Sequence, residues 1–166
     1  MILIVMGVSG SGKTTVGREL ASRLGWEFRD GDDFHPPSNV QKLSAGTPLT
    51  DDDRRPWLLS IQHFMREAES RGNHAIIACS ALKELYRNWL LKHEPWVRFV
   101  HLRGSRELIA QRLAERRGHY MPPTLLDSQF ATLEEPPADV LAVDIAPPAK
   151  EIVSEIISRL RLQPVN

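Results

Sequence analysis

Apolar positions along this chain fall into two alternating patterns, and their succession predicts the elements. Met1 to Met6 is a continuous apolar run, the signature of a strand buried on both faces. From about Gly12 to Leu24 the apolar residues Val16, Leu20 and Leu24 share one helical face, and Gly25 follows as a helix stop. Trp26-Glu27-Phe28-Arg29 alternates and predicts a short second strand. Ser38 to Ala45 predicts a short helix ended by Gly46. Thr50-Asp51-Asp52-Asp53 is a helix start, with Thr50 as N-cap and an acidic first turn. That helix runs to about Ser70 and turns Leu58, Ile61, Phe64 and Met65 inward. Pro56 limits how early it can begin, because a proline beyond the first turn costs a hydrogen bond.

His74 to Cys79 predicts a third strand, expected at the centre of the sheet, followed by a helix from Leu82 to His93. Val97 to Leu102 predicts a fourth strand and Ser105 to about Arg117 a helix. Gly118-His119-Tyr120-Met121-Pro122-Pro123 has no regular pattern. Thr124 to Leu133 predicts a helix with Thr124 as N-cap, Val140 to Val143 a fifth strand, and Lys150 to Leu162 a closing amphipathic helix. Strand–helix alternation of this kind predicts an α/β fold: a five-stranded parallel sheet flanked by helices on both faces. Two excursions interrupt it. One is a helical insert at about 34–72, and the other is the break at about 116–124, a candidate lid.

A length of 166 residues fits one domain, 1–166, with a real core. Lys+Arg and Asp+Glu both number 21, so bulk charge gives no reason to expect nucleic-acid or membrane-surface binding. The single cysteine, Cys79, excludes an internal disulfide and fits a reducing compartment. It reads as a small buried residue and not a nucleophile, since nothing near it in sequence activates it. No apolar run reaches the length of a membrane span, and the first apolar stretch is too short for a signal peptide. A cytoplasmic protein is expected.

Gly7-Val8-Ser9-Gly10-Ser11-Gly12-Lys13-Thr14 has the spacing G-x-x-x-x-G-K-S/T, between a predicted strand and a predicted helix. Glycines let the backbone curl so that successive N–H groups face an anion, and the helix N-terminus adds its positive end. This is a phosphate cradle. Lys13 can reach the β- and γ-phosphates, the Thr14 hydroxyl can ligate Mg²⁺, and Thr15 extends the set. A dinucleotide fingerprint fits badly, because Gly17 falls one place beyond the required spacing.

Asp30 and Asp32 follow the second strand, and so fall on the same rim of a parallel sheet as the cradle. A carboxylate there can take a proton from a hydroxyl or help hold a metal; a solvated turn is the alternative. Arg54 lies near the start of a helix in the insert. Arg106, Arg112, Arg116 and Arg117 crowd one helix, either as a solvated basic face or as cations for a phosphoryl group. Such a set describes a phosphoryl-transfer enzyme, with a nucleotide-dependent regulator lacking transferase activity as the competing class. No Asn-Lys-x-Asp base-reading motif is present.

Beyond the cradle, Asp30-Gly31-Asp32 with His35, Asn39 and Lys42 resembles the gluconokinase family. So do Leu49-Thr50-Asp51-Asp52-Asp53-Arg54-Arg55-Pro56-Trp57-Leu58 and Cys79-Ser80-Ala81-Leu82-Lys83, together with Tyr86-Arg87, Arg117-Gly118-His119-Tyr120, Gln129-Phe130 and Leu133-Glu134-Glu135-Pro136. The resemblance spans nearly the whole chain; the absence of an N-terminal extension ahead of the first strand is its one departure. It implies a P-loop kinase fold like that of shikimate and nucleoside monophosphate kinases, often dimeric. It implies ATP and Mg²⁺ as partners and phosphorylation of D-gluconate at the 6-hydroxyl. Under it, Lys13, Asp32 and Arg54 are expected to be catalytic, with Asp32 facing the acceptor hydroxyl and Asp30 nearer the metal with Thr14. Gly7 to Thr15 with Arg112 and Arg116 are expected at the nucleotide, and Asp32, His35, Asn39, Arg54, Lys83 and Arg87 at the sugar acid. Shikimate kinase is the enzyme alternative, but Ser80-Ala81-Leu82-Lys83 stands where that family leads one to expect three glycines.

Overall fold

Strand β1 (Ile2–Met6) is the middle strand of a five-stranded sheet ordered β2-β3-β1-β4-β5. The structure is a computed structural model and describes residues 1–116 and 123–165. The remaining strands are β2 (Glu27–Asp30), β3 (Ala75–Ala78), β4 (Val97–Arg103) and β5 (Leu141–Asp144). All pairings are parallel, with Val5 beside Ala78 and Met6 beside His101. The expectation that β3 is central is corrected: β3 sits between β1 and β2. Both strands are apolar throughout, so apolarity alone did not separate them.

Residues alternate across β1, and each face has its own core. Leu3 and Val5 pack with Val16, Leu20 and Leu24 of α1 (Lys13–Leu24) and with Ile152, Val153 and Ile156 of α7 (Ala149–Leu160). Ile2, Ile4 and Met6 pack with Trp57, Leu58, Ile61 and Met65 of α3 (Asp51–Ser70) and with Tyr86 of α4 (Glu84–Trp89). Burial on both faces is what a parallel sheet requires. Chain order also reverses at β1, with β3 on one side and β4 on the other. The crevice at the carboxyl ends of β1 and β3 is where such sheets bind ligands.

Three local expectations change. Helix α3 begins at Asp51, so Pro56 lies inside it. The bond that residue 56 would donate to the Asp52 carbonyl is lost, while a reciprocal cap offsets part of that cost: Asp53 N–H donates to Thr50 Oγ1 and Thr50 N–H to Asp53 Oδ2. Helix α4 covers only Glu84–Trp89, because the chain turns at Leu90 and Leu91, the latter at φ 59°. Thr124 lies within α6 (Pro123–Thr132) and does not cap it. Residues 117–122 lie outside the described residues, and with them Arg117, most of the predicted break at 118–123 and most of the candidate lid. The insert contains a 3-10 turn (Gly31–Phe34) and α2 (Pro37–Ser44) ahead of α3, and α5 (Arg106–Glu115) follows β4.

Candidate active site

The cradle between β1 and α1 curls as its glycines allow. Gly10 and Gly12 have φ of 81° and 93°, the left-handed region that side chains disfavour. A Cβ on Gly10 would come within 2.7 Å of Leu113 Cγ on α5, so the loop lies tight against that helix. Gly7 N–H donates to the Ser80 carbonyl at 3.3 Å, joining the loop to the end of β3. Lys13 Nζ donates back to the Val8 carbonyl at 3.0 Å. This bend holds the ammonium over the loop, where a phosphate chain would lie.

The loop opens into a cavity of about 640 Å³. Its walls bring together Ser9, Gly10, Gly12, Lys13 and Thr14 of the cradle, Asp30, Asp32 and His35 beyond β2, Arg54 and Trp57 of α3, and Arg116. These residues are far apart in sequence and come from α1, β2, the 3-10 turn, α3, the loops beside them and the C-terminal end of α5. Thr14 Oγ1 donates to Asp30 Oδ2 at 3.1 Å, and Asp32 N–H donates to Asp30 Oδ1 at 3.1 Å. The hydroxyl and carboxylate thus stand side by side at the mouth of the loop. Among the described residues, no group of three or more His, Cys, Asp or Glu side chains is placed to hold a metal by itself.

Burial governs the charges here. It lowers the Lys13 ammonium to about 8, an effect that Asp32 and Asp30 oppose and Arg116 reinforces. Desolvation at the cavity mouth, then the neighbouring Asp30, raises the Asp32 carboxyl, although its side chain is largely exposed. His35 is lowered by burial, with Asp32 opposing. Cys79, buried in the cavity wall, is pushed up to about 12 and is a poor nucleophile. Arg54 Nε is buried without a hydrogen-bond partner, while its guanidinium lies 5.5 Å from the centre of the Tyr86 ring. A half-buried guanidinium whose Nε has no partner among the described residues, beside an open cavity, suits an anionic ligand.

Outside the cavity wall lie five expected residues, Arg87, Lys83, Arg112, Asn39 and Thr15, together with Gly7, Val8 and Ser11 of the cradle. Arg87 is 1% exposed and donates through Nη1 to the carbonyls of Ala81 and Leu82 at 3.0 and 3.1 Å. It clamps the turn in which Ala81 adopts φ 46° and does not reach the cavity. Lys83 pairs with Asp51 at 3.0 Å, and Tyr86 O–H donates to the same carboxylate at 2.5 Å. Arg112 Nη2 donates to the Ile145 carbonyl at 2.5 Å. Asn39 is buried behind His35. Thr15 is exposed on α1. Gln129 on α6 had no predicted role, yet it lines the cavity and grips Ser9. Only its place beside Phe130 in a shared block marked it.

Comparison with known proteins fits this arrangement. The family model described as shikimate kinase matches residues 9–161. A gluconokinase of Gluconobacter oxydans (strain 621H) is 53% identical over 82% of this chain and 77% of its own. A probable gluconokinase of Xenopus tropicalis is 49% identical over 94% of this chain and 91% of its own. A solved gluconokinase from Sinorhizobium meliloti 1021 superposes with a TM-score of 0.86 at 44% identity, covering 96% of this chain and 90% of that one. The chain belongs to the gluconokinase family of shikimate-kinase-like P-loop kinases.

Proposed function

We propose that this protein transfers the γ-phosphoryl group of ATP to the 6-hydroxyl of D-gluconate, giving 6-phosphogluconate and ADP. The observation that supports this most directly is the convergence of Lys13, Asp32 and Arg54 on one cavity. An ammonium over the phosphate loop, a raised carboxyl opposite it and a half-buried guanidinium are the parts that the reaction needs. Gluconate supplies matching groups, a carboxylate and a row of hydroxyls.

In this reading the cradle amides and Lys13 hold the triphosphate. The bond from the γ-phosphorus to the ADP oxygen breaks as the bond to the acceptor oxygen forms, and the hydroxyl proton passes to Asp32. Lys13, Arg54 and Arg116 take up the charge that spreads over the transferred group. Arg54 is also placed to pair with the sugar-acid carboxylate, and His35 to meet its hydroxyls. Thr14 and Asp30 would hold Mg²⁺, their paired oxygens being hard donors of the kind that ion takes. The ion would supply charge neutralisation for the triphosphate. Segment 34–72 forms the acceptor side within one catalytic domain, and a homodimer in the cytoplasm completes the reading.

The test is ADP release by purified protein with ATP and magnesium, across gluconate, shikimate, other sugar acids and AMP. Gluconate-dependent release, with phosphate on C6 by NMR, is the expected result. Release that ignores gluconate sinks the proposal.

A further inference from the structure

We propose that Asn39 is a positioning residue that holds His35 as its Nε2–H tautomer, so that the acceptor hydroxyl meets a fixed donor, His35, opposite the Asp32 carboxylate. This deepens the reading above and rests on it for the identity of the acceptor; the tautomer itself does not.

Asn39 is 2% exposed, and one end of its side-chain amide lies 2.9 Å from the Asp53 carbonyl oxygen. A carbonyl can only accept, so the facing atom is the amide nitrogen. That NH₂ has a second proton, and 3.2 Å away lies His35 Nδ1. An amide nitrogen does not accept, so Nδ1 must, and it therefore carries no proton. The imidazole keeps its proton on Nε2. Burial favours the uncharged ring, which stacks on Trp57 with centroids 4.1 Å apart.

The two ends of this chain are fixed by the fold. Asp53 is held in the cap of α3 and by Lys42 Nζ at 2.8 Å. Trp57 Nε1 donates to the Gly31 carbonyl at 2.7 Å, which fixes the plane on which His35 lies. His35 Nε2 then faces Asp32 Oδ1 across 3.9 Å. That is too long for a hydrogen bond, but short enough for one hydroxyl oxygen to touch both. A hydroxyl in the gap donates to Asp32 and accepts from His35. The proton that must leave during transfer is thereby aimed at the carboxylate.

Two measurements test this. The first is a long-range proton–nitrogen correlation spectrum of the ¹⁵N-labelled full-length protein at pH 7.5, with the His35 signals assigned by their loss in His35→Phe. The proposal expects a protonated Nε2 and a bare Nδ1; a proton on Nδ1 overturns it. Asn39→Asp should move the proton to Nδ1, because a carboxylate accepts where the amide donated. The wild-type spectrum decides alone if that variant does not fold. The second is gluconate kinetics of His35→Phe, which keeps the stack and loses the donor, against His35→Gln, whose amide restores a donor. Loss of one hydrogen bond predicts a KM for gluconate about tenfold higher in His35→Phe, partly recovered in His35→Gln. A wild-type KM in His35→Phe overturns the donor role. If the wild-type protein ignores gluconate altogether, the proposed function falls, while the spectrum still reads the tautomer.

Discussion

Gln129 grips Ser9 at both ends of its amide: Ser9 N–H donates to Gln129 Oε1 at 2.7 Å, and Gln129 Nε2 donates to Ser9 Oγ at 3.2 Å. The two residues are 120 positions apart, and the pair joins α6 to the phosphate cradle. Ser9 N–H would otherwise point into the cavity unpaired. Gln129→Leu removes both bonds, each worth about 1 kcal/mol. The KM for ATP should rise about tenfold, and the Tm should fall by several degrees. Steady-state kinetics with ATP varied checks this.

Lys13→Met should abolish transfer and raise the Tm at pH 7. The sign follows from the ammonium being lowered to about 8 in the fold, against an ordinary 10.5. Between those values the unfolded chain binds more protons, so stability gains as pH rises through the window. Below about 8 the cost of the buried charge is fully present, and methionine removes it. The Tm gap between variant and wild type should narrow as pH climbs from 8 towards 10.5. Melting curves across that range decide it.

Gly10→Ala tests the tightness of the cradle. The new methyl would sit 2.7 Å from Leu113 Cγ, at a φ of 81° that alanine resists. Overpacking and strain together cost about 1–3 kcal/mol. For a chain of this length each kcal/mol shifts Tm by about 2–4 °C. ATP binding should weaken with it, as calorimetry would show, because α5 and the loop cannot both keep their places.

Arg87→Met should act on stability more than on gluconate binding. It leaves the carbonyls of Ala81 and Leu82 without their guanidinium donors in a buried turn. Each such loss costs about 1–3 kcal/mol. Denaturant unfolding should show the deficit, while the folded fraction keeps its KM for gluconate. A large KM rise at unchanged stability would return Arg87 to the substrate.

Acid should loosen the insert. The Lys42 ammonium, and then the backbone of Thr50, hold Asp53 down at about 2, against an ordinary carboxyl value of 3.8. Stability from that pairing is complete above 3.8 and is lost as pH falls towards 2. Asp53→Asn should lower the Tm at pH 7 and flatten its fall on acidification, as read from melting curves between pH 6 and 2.

What the sequence determined by itself was local. Six residues of unbroken apolarity, then glycines at fixed offsets before Lys13-Thr14, are enough to place a strand, a phosphate loop and a helix, because backbone freedom and burial act over neighbours. Asp30 and Asp32 could be placed on the same rim because a parallel sheet puts all its carboxyl ends on one side. Partnership was decided only in three dimensions. Arg54 and Arg87 look alike in the chain, yet one lines the cavity while the other is buried under its turn, held by two carbonyls and by Glu84. Lys83 sits one turn beyond the β3 rim and is claimed by Asp51 from the insert. Gln129 reaches Ser9 only because α6 folds back over the cradle. Periodicity says which way a side chain faces, but not what waits there, since hydrogen-bond partners come from segments that local pattern cannot bring together.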